Sequence, residues 1–235
     1  RCSTCGARSS VWDECVSIAP AKIRQVPRCS SCSPKKAGRS LERELVSRWD
    51  DLLRTKFEVR RRSPARVYGV TGRTAWSRSP EPADSDLLDR IDSEVLPTSV
   101  PNLAIPWGDL YRHGYHQGMT HVHHFYTRRN LIVFGRLWER VDTYPRQLRD
   151  ALRFWLLSYN SSHSTIMTRV VAKSGQQDLV VTSAQPGVLY VSGLPVEKNL
   201  LAGLRRKLST IVKAFQLTHA RSSQVEVRQG SSCHV

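Results

Sequence analysis

The sequence predicts an α+β protein in which a small cysteine-marked unit precedes a helical region and a mixed strand and helix segment. Three observations predict it. Two Cys-x-x-Cys pairs stand within the first 32 residues. Apolar residues at spacings of three and four then recur, as on one face of a helix. Beyond residue 164, short β-branched runs alternate with glycine and proline turns. We place the boundaries at 1–38, 39–166 and 167–235.

The two cysteine pairs predict a structural zinc site in a zinc ribbon. Cys2 and Cys5 form one pair, Cys29 and Cys32 the other, and Gly6 relieves the turn after the first pair. Two such pairs complete a closed tetrahedral site with no open position for substrate. The intervening residues, including 11–12 and 16–18, would supply the hairpin. Disulfides and unligated thiols are the alternatives, and Cys15 and Cys233 lie outside the spacing.

The region from residue 39 to 118 is predicted to be a helix followed by loops. From Arg39 to Phe57 the pattern is helical. The apolar face of that helix would carry Leu41, Leu45, Trp49, Leu52 and Leu53. Residues 60–66 and 77–86 are expected to be surface loops. A short helix is expected from Ser85 to Val95, and an irregular stretch from Pro97 to Gly118.

Three longer helices are predicted in the second half of the chain. Thr127 is a good N-cap, and the helix after it would bury the apolar residues Leu131, Ile132, Leu137, Trp138 and Val141. A second helix begins near Pro145, and its buried stripe would contain Leu148, Leu152, Trp155, Leu156 and Tyr159. A third runs from about Glu197 to Gln216 with a basic outer face. That face carries Arg205, Arg206, Lys207 and Lys213.

Four short strands complete the expected secondary structure. Their ranges are Thr168–Lys173, Leu179–Thr182, Val188–Ser192 and Gln224–Arg228. The sequence shows no internal repeat and no apolar run of the roughly 18 residues that a membrane span needs. We therefore expect no membrane association, and we expect a cytoplasmic, nucleoid-associated location.

The charge indicates a polyanionic partner. The 36 basic residues exceed the 20 acidic ones, which gives a net charge of +16 and a pI near 10.2. Arginine accounts for 28 of the basic residues and lysine for 8, and the planar guanidinium suits phosphate and guanine edges. Nucleic acid is the commonest partner of such a chain. A GC-rich genome that encodes arginine often is the alternative explanation.

Five histidines lie within twelve residues, at positions 113, 116, 121, 123 and 124. A metal site is one interpretation. Against it, no carboxylate stands between Asp109 and Glu139, and the pattern lacks the i, i+4 spacing of a helical zinc pair. We therefore expect these side chains to pack and hydrogen-bond in an irregular loop that leads to the helix at Thr127.

Seven residues are assigned to nucleic-acid contact. The arginines of the basic break, residues 60–66, and of the start of the helix after Thr127 would bind phosphate, together with the free backbone donors of the first helical turn. Simple solvation is the alternative. The assigned residues are Arg60, Arg61, Arg62, His124, Thr127, Arg128 and Arg129.

Three stretches resemble bacterial amino-methyltransferases that modify DNA adenine or cytosine. The first is 120–131, Thr-His-Val-His-His-Phe-Tyr-Thr-Arg-Arg-Asn-Leu, continuing to Leu-Trp-Glu at 137–139; in the family a similar run leads into a helix. The second is 186–199, Pro-Gly-Val-Leu-Tyr-Val-Ser-Gly-Leu-Pro-Val-Glu-Lys-Asn. The cysteine pairs match in the same order, and 225–230 is similar to a strand that precedes the family's catalytic motif. The resemblance spans Cys2 to about Gly230.

The resemblance implies an internal segment of an enzyme that uses S-adenosylmethionine. In the family this region lies between a glycine-rich cofactor loop and an Asp-Pro-Pro-aromatic motif, and the present sequence contains neither. No catalytic residue is therefore assigned, and this chain alone is expected to be inactive. The implied partners are double-stranded DNA and the remainder of the methyltransferase domain, with zinc as the structural cofactor. The alternatives are a freestanding zinc-ribbon nucleic-acid-binding protein and a decayed gene product.

Overall fold

The protein is a mixed α+β structure of small antiparallel sheets and six short to medium helices in the part of the chain that the structure describes. The computed structural model describes residues 1–18, 21–24, 27–32, 44–108, 116–166, 168–173, 179–181 and 191–219. Within those ranges, the helices are all too short or too polar to cross a membrane.

A short helix and a minimal hairpin follow the first cysteine pair. Helix α1, Val11–Cys15, begins at Ser10, whose hydroxyl accepts the Asp13 amide while the Asp13 carboxylate accepts the Ser10 amide. Strands β1, Val16–Ser17, and β2, Lys22–Ile23, pair antiparallel. The hairpin expected to begin at residue 11 is therefore replaced at its start by a helical turn, and a zinc-ribbon fold is not confirmed.

The helix predicted over Arg39–Phe57 is wrong where the structure describes it. Strands β3, Leu45–Asp50, and β4, Thr55–Arg60, form an antiparallel hairpin in which Leu45 pairs with Arg60 and Asp50 with Thr55. The apolar pair at 45 and 49 was ambiguous because a spacing of four is even. Such residues share a face of a strand as well as of a helix. Residues 39–43 lie outside the described part.

The turn of this hairpin is fixed by an acidic side chain. The Asp50 Oδ1 atom accepts the amides of Leu52 and Leu53 at 2.9 and 3.0 Å. Arg54 then adopts a left-handed backbone with φ of 51°, which is uncommon for residues other than glycine. The local sequence thus reverses the chain where a helix would have continued it.

A second hairpin and a helix follow. Strands β5, Val67–Thr71, and β6, Thr74–Arg78, pair antiparallel across Gly72, whose φ is 61°. Residues 61–66 form no regular structure, as expected, but residues 77–86 divide between β6 and helix α2, Pro82–Ser93. The short helix predicted from Ser85 to Val95 is confirmed, with its start three residues earlier because Pro82 suits the first helical turn.

The three predicted longer helices are confirmed and form the main core. They are α3, Arg128–Asp142; α4, Arg146–Leu157; and α6, Leu200–His219. The short helix α5, Asn160–His163, follows α4. Their buried apolar cluster contains Val141, Leu156, Leu200 and Leu204. Gly203 lets α6 approach Tyr159, because a Cβ at this glycine would stand 2.1 Å from the tyrosine ring.

The inward stripe of α4 was only partly predicted. Leu156 is fully buried, and Leu152, Trp155 and Tyr159 pack against the cluster. Leu148 instead has 47% of its surface exposed because it lies in the first turn of α4, beyond the edge of the cluster.

The predicted strands of the last third are shorter than expected. Strands β7, Val170–Val171, and β8, Val180–Val181, pair antiparallel, and Ile166 forms an isolated bridge with Val191. Residues 182–190 and the predicted strand Gln224–Arg228 lie outside the described residues. The irregular character of 97–118 is confirmed in its described parts, where Ala104 bridges to His121.

Candidate metal centre and charged residues

The four predicted cysteines come together into one cluster. The Cys2 and Cys32 Sγ atoms are 3.6 Å apart, and so are those of Cys5 and Cys29; all four lie within 4.8 Å of one another. A disulfide needs about 2.05 Å between sulfurs, so these thiols are free. Four sulfurs placed about 2.3 Å from a tetrahedral zinc would be about 3.8 Å apart. The cluster therefore fits a tetrahedral metal ion.

Local backbone geometry aims the first pair of thiols. The Gly6 amide donates to the Cys2 carbonyl at 2.9 Å, and Gly6 has a left-handed φ of 71°, the relief predicted from the sequence. The Thr4 amide donates to the Cys2 Sγ atom at 3.4 Å. The cysteine turn thus presents backbone donors to sulfur, which favours the thiolate form that metals bind.

A buried glutamate holds the second cysteine pair. Glu14, on α1, has only 5% of its surface exposed. Its carboxylate accepts the Ser30 amide at 2.9 Å and the Ser30 hydroxyl at 3.0 Å. Helix α1 is thereby tied to the turn between Cys29 and Cys32. Cys15 is buried outside the cluster, as expected, and Cys233 lies outside the described residues.

The electrostatics of the cluster favour a cation. Backbone hydrogen bonds from Cys5 and Thr4 lower the pKa of Cys2 to about 6. Hydrogen bonds with Cys5 and Cys2 raise the pKa of Cys32 to about 12. The Cys2 thiol therefore ionises readily, while the Cys32 thiol resists ionisation beside the other cysteines. A divalent cation removes that repulsion and would hold all four sulfurs as thiolates.

A second polar cluster joins the β3–β4 hairpin to residues 121–124, which we call the histidine segment. The Oδ2 atom of Asp50 lies 2.9 Å from the His123 Nε2 atom and 2.7 Å from the His124 Nε2 atom. All three side chains are at most 5% exposed. The two histidines belong to a short 3-10 helix, Val122–Phe125, just before α3. The expected hydrogen bonding of His123 and His124 is confirmed, but they lie on a 3-10 helix rather than in an irregular loop, and their carboxylate partner comes from a residue 73 positions before His123.

The hydrogen bonds of His124 decide what this second cluster can hold. Its Nδ1 atom accepts the amides of Thr120 and His121 at 3.1 and 3.3 Å. A neutral imidazole has one acceptor and one donor nitrogen, so the Nε2 atom carries the proton and donates to Asp50. A metal ion on that Nε2 atom would have to displace the proton. The three ligand atoms are close enough for a metal, but their bonding fits a hydrogen-bonded clamp.

The clamp sets the ionisation of its members. Burial by itself would raise the pKa of Asp50, but hydrogen bonds from His123, His124 and the Leu53 amide hold it well below its usual range. Burial lowers the pKa of His124 and outweighs the opposite effect of Asp50. Phe57, on β4, stacks on the His124 ring with centroids 4.5 Å apart. Asp50 is therefore a buried carboxylate that depends on hydrogen bonds from His123, His124 and the Leu53 amide.

The assigned residues of the basic break differ in exposure. Arg60 is 8% exposed, and its guanidinium donates to the Gln117 side-chain oxygen at 3.3 Å. Arg61 and Arg62 are exposed, and Arg61 also pairs with Glu44 at 3.4 Å. Arg61 and Arg62 are accessible to a nucleic acid, whereas Arg60 serves the contact between the β3–β4 hairpin and the segment that precedes the 3-10 helix.

The assigned residues at the start of α3 make contacts within the protein. The Thr127 hydroxyl accepts the Asn130 amide at 3.4 Å as the N-cap. Arg128 pairs with Asp51 at 2.5 Å and donates to the Glu94 carbonyl, and Arg129 pairs with Glu197 at 2.8 Å. Phosphate would have to compete with these carboxylates. The burial of His124 argues against a direct DNA contact from its ring.

Sequence reasoning missed Asp50 as a site residue. No spacing rule connects it with the histidines, because the contact forms only when the hairpin packs against the 3-10 helix. The clue was indirect: buried histidines at adjacent positions need acceptors, and none stood nearby in sequence. Comparison with protein-family models, curated proteins and solved structures gave no match.

We predict that Asp50→Asn lowers the free energy of unfolding by about 3 kcal/mol, the upper end of the scale for leaving buried hydrogen-bond donors without an acceptor. Both oxygens of Asp50 accept hydrogen bonds, whereas the asparagine side chain has one accepting oxygen and one donating NH2 group. In one orientation the NH2 group would face the donors of His123 and His124, and in the other it would face the amides of Leu52 and Leu53. Asp51→Asn is the control: its carboxylate is 39% exposed, and its loss should cost less than about 1 kcal/mol. Urea denaturation measures both, and equal losses would contradict the clamp.

A buried histidine in the helical core predicts a dependence of stability on pH. His163 is 2% exposed, lies against Tyr159 and Phe134, and has no hydrogen-bond partner for either ring nitrogen among the described residues. Burial, with a smaller effect of Lys198, lowers its pKa to about 4. The ring is therefore neutral in the folded protein. In the unfolded chain its pKa is near 6.5, so below that pH the unfolded chain gains a proton that the folded protein does not, and stability falls.

His163→Phe should remove this loss. Between pH 7.5 and pH 5 the wild-type chain should lose about 2 kcal/mol more than the variant, from about 1.4 kcal/mol per pKa unit. Denaturant titrations of both proteins at the two pH values give the comparison. Parallel losses of stability would show that another group carries the dependence.

Proposed function

We propose that this chain is the zinc-bearing, DNA-binding part of an S-adenosylmethionine-dependent DNA methyltransferase. The observation that carries the proposal is a closed four-thiol cluster, compatible with a metal ion, in a chain with a net charge of +16. A site with four protein ligands has no position for substrate. Its role would be to fix the fold of a unit that the rest of the enzyme uses to hold DNA.

Zinc is the metal that this donor set favours. Four cysteine thiolates around a tetrahedral centre suit zinc among the common divalent ions. The buried apolar clusters of the described residues lie beyond residue 100. The first 32 residues therefore depend on the cysteines rather than on a hydrophobic core. The metal would take no part in methyl transfer.

The place within a methyltransferase rests on the resemblance, and two structural features support it. The family run at 120–131 leads into a helix, and α3 begins at Arg128 with Thr127 as its cap. The second resembling stretch ends at Asn199, immediately before α6. The coding sequence on either side tests the proposal: a glycine-rich loop upstream and an Asp-Pro-Pro-aromatic motif downstream are expected, and stop codons in both places would contradict it.

The division of labour follows from the residues present. In the complete enzyme, S-adenosylmethionine supplies the methyl group, and the target base is turned out of the duplex. The described residues offer exposed cations and no assigned catalytic group. This part would hold the duplex through its phosphates. Other segments of the enzyme would align the methyl donor with the amino group of the target base, which is the step that accelerates the reaction.

We predict one equivalent of zinc per chain, bound by Cys2, Cys5, Cys29 and Cys32. Cys29→Ser should lower the zinc content of protein purified under reducing conditions below half an equivalent, because three thiolates bind zinc more weakly. Cys15→Ser is the matched control, a buried thiol outside the cluster, and should keep its zinc. Elemental analysis decides; a wild-type chain that holds less than about half an equivalent of metal would overturn the metal site.

We predict that the chain binds duplex DNA mainly through phosphates. If about five phosphates are neutralised, the logarithm of the binding constant should fall against the logarithm of salt with a slope near −4.5, from roughly −0.9 per contact. Fluorescence anisotropy with a labelled duplex measures the slope, and polyglutamate of matched charge is the control polyanion. No binding at low salt, or equal affinity for polyglutamate, would contradict the proposed function.

A further inference from the structure

Helix α6 carries a basic surface that the assigned contacts do not include. Its 20 residues contain no aspartate or glutamate, but four arginine and lysine residues. Arg205, Arg206 and Lys213 are exposed, whereas Lys207 is half-buried. We call the three exposed residues the α6 basic face.

The packing of α6 turns this face away from the core. Leu200, Leu204 and Ile211 are buried, and the Trp155 indole donates to the Leu204 carbonyl at 3.0 Å. Successive helical residues are rotated by about 100°. Arg206 and Lys213, seven residues apart, therefore lie nearly on one line, on the side of the helix away from these leucines.

The cations of this face are less engaged than those at the start of α3. Arg128 and Arg129 each pair with a carboxylate. In the described part of the chain, Arg205 and Lys213 form no salt bridge, and the Arg206 guanidinium donates to the Tyr159 hydroxyl at 3.2 Å. Among the described residues, no carboxylate has to be displaced from Arg205, Arg206 or Lys213 before a phosphate binds here.

We infer that the α6 basic face contacts the phosphates of duplex DNA. The inference rests on the proposed function and names the surface that performs it. Seven residues of helix span about 10 Å at 1.5 Å per residue. The major groove is about 12 Å wide. The arginine pair and Lys213 are therefore spaced to meet phosphates on the two borders of a groove, held on a rigid element.

An anionic membrane is the competing partner for a basic helix. Leu201, Leu208 and Val212 are exposed in a stripe beside the basic face, and Leu217 is exposed one turn after Lys213. A membrane-surface helix would bury such a stripe among lipid chains. DNA is favoured because the stripe of Leu201, Leu208 and Val212 lies next to the side of α6 that packs on the core. The cations of the basic face lie farther around the helix, away from the core. Arginine also predominates over lysine in the chain, which suits phosphate recognition.

The test compares two variants of the full chain that each remove three positive charges. One is Arg205→Ala, Arg206→Ala and Lys213→Ala together. The control is Arg136→Ala, Arg140→Ala and Arg146→Ala, all exposed on α3 and α4. The probes are a labelled duplex of about 20 base pairs and vesicles that contain phosphatidylserine. A further variant, Arg205→Ala with Lys213→Ala, keeps the hydrogen bond from Arg206 to Tyr159.

The α6 triple variant should bind DNA about 10- to 100-fold more weakly, and its salt slope should flatten by about 2.7, from roughly 0.9 for each of three phosphates. The double variant should flatten the slope by about 1.8 while retaining the parent's circular dichroism and melting temperature. The control variant should flatten the slope by less than about 1.

If the parent binds DNA and the α6 variants bind equally well, or if the control is weakened as much, the inference fails and the proposed function stands. A parent that binds no DNA defeats the proposed function itself, and α6-dependent vesicle binding without DNA binding assigns the face to a membrane instead.

Discussion

The imbalance between 36 basic and 20 acidic residues constrains this structure more than any single contact. Three carboxylates stand where separate elements meet. Asp50 joins the first hairpin to the histidine segment, Asp51 joins it to α3, and Glu197 joins α3 to the segment before α6. Each such contact neutralises a cation or orders a donor inside the fold. The surplus positive charge is left for the outer surfaces, where a polyanion can complete the pairing.

The same arrangement explains how small units persist in the fold. A two-stranded hairpin is marginally stable alone, and the Asp50 clamp anchors β3 and β4 through side chains that water does not reach. The unit that contains the four cysteines is stabilised differently. The hydrogen bonds of Glu14 and the cluster of four thiols take the place that a hydrophobic core has in a larger unit. Among the described residues, helices α3, α4 and α6 share one apolar cluster, and Met119, Phe125 and Val191 form the centre of a second. The stability of the hairpin and of the cysteine unit thus rests on a few polar contacts, each of which the sequence can lose in a single substitution.

The sequence predicted those features whose signals are local. The cysteine cluster followed from the spacing within each pair. Helix α3 followed from its cap Thr127, and α3, α4 and α6 all followed from apolar residues at helical spacing. The β3–β4 hairpin was missed because Leu45 and Trp49 satisfy both periodicities, and the turn chemistry of Asp50 decided between them. The Asp50 clamp was missed because it joins residues 73 positions apart. The ion pairs of Arg128 and Arg129 were invisible for the same reason: charge indicates a partner but does not say whether that partner is internal.

The central claim is that the cations of the α6 basic face, rather than basic residues in general, meet the DNA. Acetylation of surface lysines, followed by mass spectrometry with and without bound duplex, tests it most directly. Lys213 on α6 should be protected by DNA, while Lys173, exposed after β7, should react at the same rate in both states. Equal reactivity of Lys213 in the free and DNA-saturated protein would contradict the account.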